Sequence, residues 1–218
     1  MSGMSFPAHH PEVQLYLLDW SGTISNDRDP VYLTNMELLE RHGEPRVSLE
    51  EWLGGVTYWN ASRHLADTQG HDISGLYREY AQIFDEMLRI SPAAIYPGAA
   101  DALGYLSSLG CNVEVISSHP QPNLEREIVS YGLTGLIGQA MGSITNKVPV
   151  IQDALDRHGV TASEAVYVGD TMSDIQAARG AGVWAVAVAC GYQPRELLLG
   201  QQPDGLFHDL AHVVGLTS

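Results

Sequence analysis

The chain has 218 residues, a length that suits one substantial domain or one domain with a modest insertion. Its 44 % hydrophobic and 17 % charged residues are typical of a folded globular protein, and no apolar run reaches the roughly 18 residues of a membrane span. The formal net charge of −15 opposes binding to nucleic-acid phosphates, and no cluster of Lys or Arg offsets it. We therefore expect small-molecule chemistry, with neither nucleic acid nor a membrane as partner.

The N-terminal segment and the cysteines bear on location. Met1 to Pro11 lack the cationic start and the apolar stretch of a secretory signal, which predicts a flexible tail. Cys111 and Cys190 are the only cysteines, and each stands in or beside an apolar run. This pattern predicts buried, reduced thiols and a cytoplasmic protein. The sequence leaves monomer and homodimer equally open.

Apolar, β-rich runs alternate with helical patterns along most of the chain. The predicted strands are Val13 to Leu18, Val113 to Ile116, Ala165 to Val168 and Trp184 to Ala189. The predicted helices between and after them are Ala99 to Leu109, Asn123 to Tyr131, Val148 to His158 and Ser173 to Ala181. This alternation predicts an α/β fold, with a Rossmann-like parallel sheet covered by helices on both faces.

Residues 28–95 break the alternation, because only helical patterns occur there. These patterns cover Val31 to His42, Ser48 to Leu53, Ala61 to Thr68 and Ser74 to Ile90. We predict a helical cap domain at 28–95, inserted as a lid over the sheet edge. Residues 1–27 and 96–218 then form the catalytic core.

Polar residues directly follow the apolar strands, at the sheet edge where open parallel sheets bind ligands. Asp19 follows the first strand, Ser117 the second and Asp170 the third, with Asp174 four residues later. Carboxylates held close together repel unless a cation lies between them, and oxygen ligands suit Mg²⁺. Gly22 permits a sharp turn after Asp19, and the amides of such a turn can receive phosphate oxygens.

Four further residues are candidates near this edge. Lys147 is the only lysine beside ten arginines, which favours a role for its compact point charge. Thr23 is either a turn cap or a site residue, and the helix start beyond Ser118 offers amides to a phosphate. His119 either reaches the phosphate site or caps the next helix.

Together these residues resemble the motifs of the haloacid dehalogenase superfamily of hydrolases, in its phosphoglycolate phosphatase and phosphonatase branch. The matching segments are Asp19-Trp20-Ser21-Gly22-Thr23, Ser117, Lys147 and Gly169-Asp170-Thr171-Met172-Ser173-Asp174. The helical insertion is similar to the small cap of that family. The resemblance covers nearly the whole chain.

The resemblance implies a Mg²⁺-dependent phosphatase that acts on a phosphorylated small metabolite through an aspartyl-phosphate on Asp19. The implied metal ligands are Asp19, the main-chain carbonyl of Ser21, Asp170 and, as an assisting group, Asp174. Ser117 and Lys147 would hold the transferring phosphoryl group. Trp20, Thr23, Ser118 and His119 are expected on the substrate side.

Ser21 departs from the family pattern. Phosphatases of the family usually carry an aspartate there, which protonates the leaving alkoxide and then activates the hydrolytic water. Loss of such a group costs a factor of about 10² to 10⁴ in rate, or roughly 3 to 5 kcal/mol. Three explanations stay open: a leaving group that needs no proton, a substitute acid such as His119 or the cap residue His64, or a slow enzyme.

Ser21 also leaves other functions open. A small residue at this place resembles the phosphonoacetaldehyde hydrolases, but those enzymes need a cap lysine, and Lys147 lies in the core. Asp170 and Asp174 argue against a metal-free dehalogenase, and a phospho-metabolite-binding protein with little turnover is the alternative outside enzymes.

In the insertion, Arg63 and His64 are candidates for substrate contacts near Gly54-Gly55. The aromatic residues of that region, which are Trp52, Tyr58 and Trp59, are expected mostly in the cap core.

Overall fold

The structure, a computed structural model, describes residue 6 and residues 12–54 and 60–216. The chain divides into two compact units, one formed by Met1–Asn26 with Ile95–Ser218 and the other by Asp27–Ala94. Every predicted site residue outside the insertion belongs to the first unit. Within the described residues, no helix is both long and apolar enough to span a bilayer.

The first unit is built on a parallel sheet. The strands of the described chain are β1 (Leu15–Leu18), β2 (Ser25–Asn26), β3 (Ala94–Ile95), β4 (Asn112–Ile116), β5 (Gln139–Met141), β6 (Ala165–Gly169), β7 (Trp184–Val188) and β8 (Gly205–Phe207). Six of them form one sheet in the order β5-β4-β1-β6-β7-β8, and all of its neighbouring strands run parallel. β2 and β3 form a separate two-stranded sheet. The predicted parallel α/β fold is confirmed.

Helices follow the strands in the order that the sequence predicts. They are α1 (Arg28–Arg41), α2 (Leu49–Gly54), α3 (Ala61–Gln69), α4 (Ile73–Ile90), α5 (Ala99–Ser108), α6 (Gln121–Ser130), α7 (Lys147–His158), α8 (Met172–Ala181), α9 (Arg195–Gly200) and α10 (Leu210–Val213). The bounds of α1 to α8 agree with the helical patterns to within about three residues.

The central strand β1 is buried on both faces, which explains its continuous apolar run. Tyr16 and Leu18 point into one core cluster, which also contains residues of α5, α6 and α10. Leu15 and Leu17 point into a second cluster, with residues of α7, α8 and α9. Helices therefore cover both faces of the sheet, as a parallel sheet requires.

The sequence did not predict the edge strands β5 and β8 or the last two helices, α9 and α10. β5 and β8 contain three residues each, and most of these residues are only partly buried or exposed. Such strands carry no long apolar run, because an edge strand has a neighbouring strand on one side only and its side chains are less buried. α9 and α10 span only six and four residues, too few for a helical period to be recognised.

The second unit consists of the helices α1 to α4. Its buried side chains include Met36, Leu39, Leu65 and Phe84, together with the predicted core residue Trp52. The remaining residues of the predicted aromatic cluster, Tyr58 and Trp59, lie outside the described residues, as does Gly55. The unit therefore has an apolar core of its own.

Phe6 is the one residue of the predicted flexible tail that the structure describes, and its packing contradicts that prediction. Its side chain is 2 % exposed and packs edge-on against Trp184 and Phe207, with ring centroids 5.8 and 6.5 Å away. Its amide donates to the carbonyl of Asp204 at 2.7 Å. Phe6 is thus part of the core beside β7 and β8.

The two cysteines are free thiols, and both are partly rather than fully buried. The predicted absence of a disulfide between Cys111 and Cys190 agrees with this arrangement. Their predicted burial is only partial, because each packs at the rim of the core cluster rather than inside it.

Replacing Phe6 by Ala should lower the free energy of unfolding by roughly 3 to 5 kcal/mol, because a fully packed ring is removed. Leu199→Ala is a matched control, since Leu199 is 50 % exposed, and we expect a change within about 0.5 kcal/mol. Chemical denaturation measures both. Equal losses in the two variants would contradict the packing of Phe6.

Candidate active site

The loop after β1 brings Asp19 to the carboxyl edge of the sheet. The amide of Asp19 donates to the carbonyl of Val168 on β6, and the amide of Trp20 donates to Asp19 Oδ1 at 2.8 Å. Gly22 then adopts a φ of +76°, and a side chain at this position would overlap the carboxyl group of Asp170. The tight turn after Asp19 therefore depends on glycine.

Asp170 follows β6 and is completely buried. Its Oδ2 accepts a hydrogen bond from the amide of Tyr192 at 2.7 Å, whereas its Oδ1 has no hydrogen-bond partner among the described residues. Gly191 leaves room for this carboxyl group, because a Cβ there would overlap it. A buried carboxylate oxygen without a donor is unusual and indicates a binding role.

Asp174 joins the start of α8 to the site. Its Oδ2 accepts from the amide of Thr171 at 3.1 Å and from the Thr171 hydroxyl, so the two residues form a capping box. Its Oδ1 accepts from Lys147 Nζ at 2.6 Å. The same carboxylate thus stabilises a helix start and an ammonium group.

Lys147 lies between two of the carboxylates. Its Nζ is 3.2 Å from Asp19 Oδ1 and 2.6 Å from Asp174 Oδ1. The residue begins α7, which Asn146 caps by accepting a hydrogen bond from the amide of Val148. The ring of Tyr167 lies 5.3 Å from Nζ. The start of helix α7 thus places the ammonium group of Lys147 at the edge of the sheet.

Burial and charge together shift the ionisation of this cluster. Burial raises the pKa of Asp19, and the positive charge of Lys147 partly offsets this effect. Burial and the nearby Asp174 and Asp19 raise the pKa of Asp170 well above its usual range. Burial lowers the pKa of Lys147, but Asp174 and Asp19 outweigh it, so the pKa of Lys147 lies well above its usual range. Three carboxyl groups therefore share one ammonium, and the negative charge that they would carry in excess when all are ionised contributes to the raised pKa of Asp170.

The same carboxyl groups fit a divalent cation. Asp19, Asp170 and Asp174 each offer an oxygen, and these oxygens lie within 4.8 Å of one another. The donor-free Oδ1 of Asp170 adds an acceptor that no group of the described chain uses. All these ligands are hard oxygens, which suit Mg²⁺, and a divalent charge would relieve their repulsion.

A second polar network adjoins the loop through Ser21. Ser21 Oγ and His119 Nδ1 are 3.1 Å apart, and His119 Nε2 lies 3.1 Å from Glu127 Oε1. Trp20 Nε1 donates to Glu127 Oε2 at 2.7 Å. His119 and Glu127 are both buried. The ring of His119 therefore faces Ser21 and Glu127 and does not cap α6.

Two other predicted site residues, Trp20 and Thr23, have surroundings that differ from those expected. Trp20 is 0 % exposed and belongs to the core, so its side chain does not face a substrate. Thr23 is also fully buried, and its hydroxyl has no hydrogen-bond partner among the described residues, so it does not cap the turn. Ser118 is exposed at the surface. Ser117 is buried, its hydroxyl accepts a hydrogen bond from the amide of His119 at 3.2 Å, and the same hydroxyl lowers the pKa of Asp19.

The two cap candidates lie on α3. Arg63 has a side chain that is 70 % exposed and pairs with Asp67 at 2.9 Å, one helical turn later. Its guanidinium is thus engaged in a surface ion pair. His64 is partly buried in the same helix. Their predicted contacts with substrate stay predictions.

Sequence reasoning missed Glu127 and the amide of Tyr192. Glu127 stands in the middle of α6, where an acidic residue usually marks a solvated face. Its partner Trp20 is 107 positions earlier in the chain, and no local pattern connects the two. The amide of Tyr192 carries no side-chain signal at all. Only the folded arrangement reveals either contact.

Comparisons with known proteins point to one family of hydrolases. Residues 16–188 match the family described as haloacid dehalogenase-like hydrolase. The chain is 27 % identical to a phosphoglycolate phosphatase of Aliivibrio fischeri, across 95 % of this chain and 97 % of the relative. It is 27 % identical to a phosphoglycolate phosphatase of Pseudomonas savastanoi, across 92 % and 78 %. A solved haloacid dehalogenase-like family protein of Streptococcus pneumoniae has the same fold, with a TM-score of 0.74, 20 % identity and coverage of 94 % and 98 %.

Replacing Asp170 by Asn should stabilise the metal-free protein. The raised pKa of Asp170 means that folding disfavours its ionised form, so wild-type stability falls as the pH rises above the ordinary value of 3.8. Near pH 7 we expect Asp170→Asn to raise the free energy of unfolding measurably, and near pH 3 to leave it almost unchanged. Denaturation at the two pH values measures this difference.

In the presence of Mg²⁺, the wild type should become more stable than Asp170→Asn. Millimolar Mg²⁺ binds the folded wild type and raises its melting temperature, whereas Asp170→Asn should show little shift. Asp101→Asn is the control for loss of an exposed acidic group on α5. An Asp170→Asn protein that is less stable than wild type in metal-free buffer would contradict the charge excess.

Proposed function

Because the chain belongs to the haloacid dehalogenase-like hydrolases, we propose that it is a phosphatase that hydrolyses a phosphorylated small metabolite through Asp19. The observation that carries this proposal is the buried cluster in which Lys147 lies between Asp19 and Asp174, with Asp170 beside them. An isolated strand-end carboxylate would serve only as a cap. The cluster instead combines a nucleophile with groups that bind a phosphate and a cation.

In the first step, a carboxylate oxygen of Asp19 attacks phosphorus and the bond from phosphorus to the leaving alcohol oxygen breaks. The product on the enzyme is an aspartyl-phosphate, and the leaving alkoxide takes a proton from water, because Ser21 stands where the usual acid would be. Lys147, which lies 3.2 Å from Asp19 Oδ1, stabilises the charge that spreads over the phosphoryl oxygens. Ser117, whose hydroxyl lowers the pKa of the same carboxyl group, favours the ionised form of Asp19 that attacks.

In the second step, a water molecule attacks phosphorus and the bond to Asp19 breaks, which releases inorganic phosphate and restores the carboxylate. The residues that would hold Mg²⁺ are Asp19, Asp170, Asp174 and the main-chain carbonyl of Ser21. When bound, this ion supplies positive charge that neutralises the phosphate and the carboxylates around it. The chain's own donors then need little rearrangement during the reaction.

Lys147 argues against the carbon–phosphorus hydrolase alternative. It is the only lysine of the chain and is engaged by Asp19 and Asp174. No lysine therefore remains for the Schiff base which that chemistry requires. The relatives favour phosphate esters instead, because the matched proteins of Aliivibrio fischeri and Pseudomonas savastanoi are named phosphoglycolate phosphatases. We take 2-phosphoglycolate, a small phosphate ester with a carboxylate, as the first substrate to test, and the cytoplasm as the compartment.

Asp19→Asn should abolish the release of phosphate from 2-phosphoglycolate in Mg²⁺, by roughly 10³-fold or more, because an amide oxygen is a poor nucleophile. Asp101→Asn is the matched control on an exposed carboxylate and should retain activity. Mass spectrometry of the wild type with Mg²⁺ and fluoroberyllate should find the adduct on Asp19. Undiminished turnover in Asp19→Asn would refute the mechanism.

Ser21→Asp should restore the acid–base group that the family usually carries. For an alkyl phosphate with a poor leaving group, we expect kcat to rise roughly 10-fold or more, because the leaving alkoxide then receives a proton. For p-nitrophenyl phosphate the change should be small, since that leaving group needs no proton. Ser21→Asn is the control of equal size without the acid. An equal response of both esters would rule out this explanation.

A further inference from the structure

Gln193 joins the loop after β7 to the start of α8. Its side chain is buried, and its Oε1 accepts a hydrogen bond from the amide of Met172 at 2.6 Å. Met172 is the first residue of α8, so its amide is one of the donors that a helix cannot satisfy internally. Because a main-chain amide can only donate, the oxygen of Gln193, and not its nitrogen, must face this contact.

Two hydrogen bonds connect the same two segments of the chain. The amide of Tyr192 donates to Asp170 Oδ2 at 2.7 Å, and the next residue, Gln193, accepts from Met172, which stands two positions after Asp170. Each segment thus supplies one main-chain donor and one side-chain acceptor. The two bonds close a ring, in which each bond limits the movement that the other would permit.

The start of α8 depends on Gln193 as well as on its own residues. The local capping box uses the amides of Thr171 and Asp174, which donate to each other's side chains. The amide of Met172 lies between them and donates to Gln193 instead. A side chain from the loop after β7 therefore completes the turn that carries both Asp170 and Asp174.

The loop around Gln193 has little freedom to shift. Pro194 follows Gln193 and restricts its main chain to extended conformations. On the other side, Gly191 approaches Asp170 so closely that a Cβ at this position would overlap the carboxyl group. A displacement of the loop would therefore also displace the Asp170 carboxyl group.

We propose that Gln193 is a positioning residue for the Mg²⁺ site: by accepting from Met172 it keeps the Tyr192 amide on Asp170 Oδ2, which leaves Oδ1 available to the ion in a fixed orientation. The inference rests on the part of the proposed function in which Asp170 holds Mg²⁺. Oδ1 has no hydrogen-bond partner among the described residues, so the contact at Oδ2 is what restrains rotation of the carboxyl group.

Loss of the Gln193 contact should weaken Mg²⁺ binding through the population of the ordered loop. If only a fraction of molecules hold Asp170 in place, the apparent dissociation constant rises in inverse proportion to that fraction. Partners that orient metal ligands typically contribute 10- to 100-fold in affinity, and we expect an increase of about 10-fold. At saturating Mg²⁺, kcat and KM for 2-phosphoglycolate should stay within about threefold of the wild type, because the bound ion restores the arrangement.

Three substitutions separate the acceptor from the shape of the side chain. Gln193→Met keeps the length but offers only a weak acceptor, and Gln193→Asn keeps the neutral amide but is one methylene too short. Gln193→Glu keeps both the length and an acceptor oxygen. Calorimetric titration of the metal-free proteins with Mg²⁺ should show about 10-fold weaker binding in the first two variants and no weakening in the third. Gln176→Met, which removes an exposed hydrogen bond on α8, is the control and should bind like the wild type.

Hydrogen exchange at the Tyr192 amide gives a readout that needs neither metal nor turnover. In the metal-free protein, this amide should exchange about 10-fold faster in Gln193→Met and Gln193→Asn than in the wild type, because the loop opens more often. In Gln193→Glu the exchange should match the wild type, and saturating Mg²⁺ should restore protection in the other two. The added charge of the glutamate cannot mimic this effect, since it does not replace the loop contact.

The outcomes test the inference separately from the proposed function. Unchanged Mg²⁺ binding in Gln193→Met and Gln193→Asn would overturn the inference, and so would an equal loss in Gln193→Glu, which would indicate packing alone. Weaker binding without faster exchange at Tyr192 would also overturn it, as would a wild type that binds no Mg²⁺. If the wild type bound Mg²⁺ but released no phosphate in an Asp19-dependent way, the proposed function would fail while the role of Gln193 would stand.

Discussion

The ammonium group of Lys147, 2.6 Å from Asp174 and 3.2 Å from Asp19, allows several buried carboxylates to share one edge of the sheet. Without it, Asp19, Asp170 and Asp174 would repel one another in a region from which water is largely excluded. Lys147 is held by the start of α7, and Asp174 by the start of α8. The cluster therefore depends on helix ends that only the packed sheet can bring together.

A second constraint is space around Asp170. Gly22 and Gly191 belong to loops that follow β1 and β7, on either side of β6, and any side chain at either position would overlap the Asp170 carboxyl group. The amide of Tyr192 fixes one oxygen of that group, while the other oxygen has no donor in the described chain. Because two glycine-containing loops approach Asp170 closely, its carboxyl group is held in a position that suits a bound cation. The same burial lowers the stability of the protein when no cation is bound.

These constraints explain which features could be predicted from the sequence. The central strands β1, β6 and β7 carry continuous apolar runs because both of their faces are buried, and polar residues after β1, β4 and β6 mark the site directly. Asp19, Ser117, Lys147 and Asp170 stand in short segments with local signals. The three-residue edge strands carry no such signal.

Single hydrogen bonds between segments that are far apart in the chain could not be predicted from the sequence. Trp20 illustrates the difference, because its place in the loop motif suggests a substrate contact, whereas its ring is buried and serves the core. Its indole nitrogen meets Glu127, which no pattern in α6 distinguishes from a surface glutamate. The network behind the nucleophile loop therefore had to be observed, since each of its bonds connects residues from different elements.

Ser21 shows how such a network changes the requirements at a position. An aspartate there would add a fourth carboxylate to a site whose three acidic groups face a single ammonium. A serine avoids that repulsion, but its hydroxyl can point in several directions, and it titrates far from neutrality. Contacts from outside the loop then matter, and among them His119 Nδ1 lies 3.1 Å from Ser21 Oγ while Glu127 Oε1 lies 3.1 Å from His119 Nε2. The chemistry available at this position therefore depends on hydrogen-bond partners from other segments of the chain rather than on the pKa of the side chain itself.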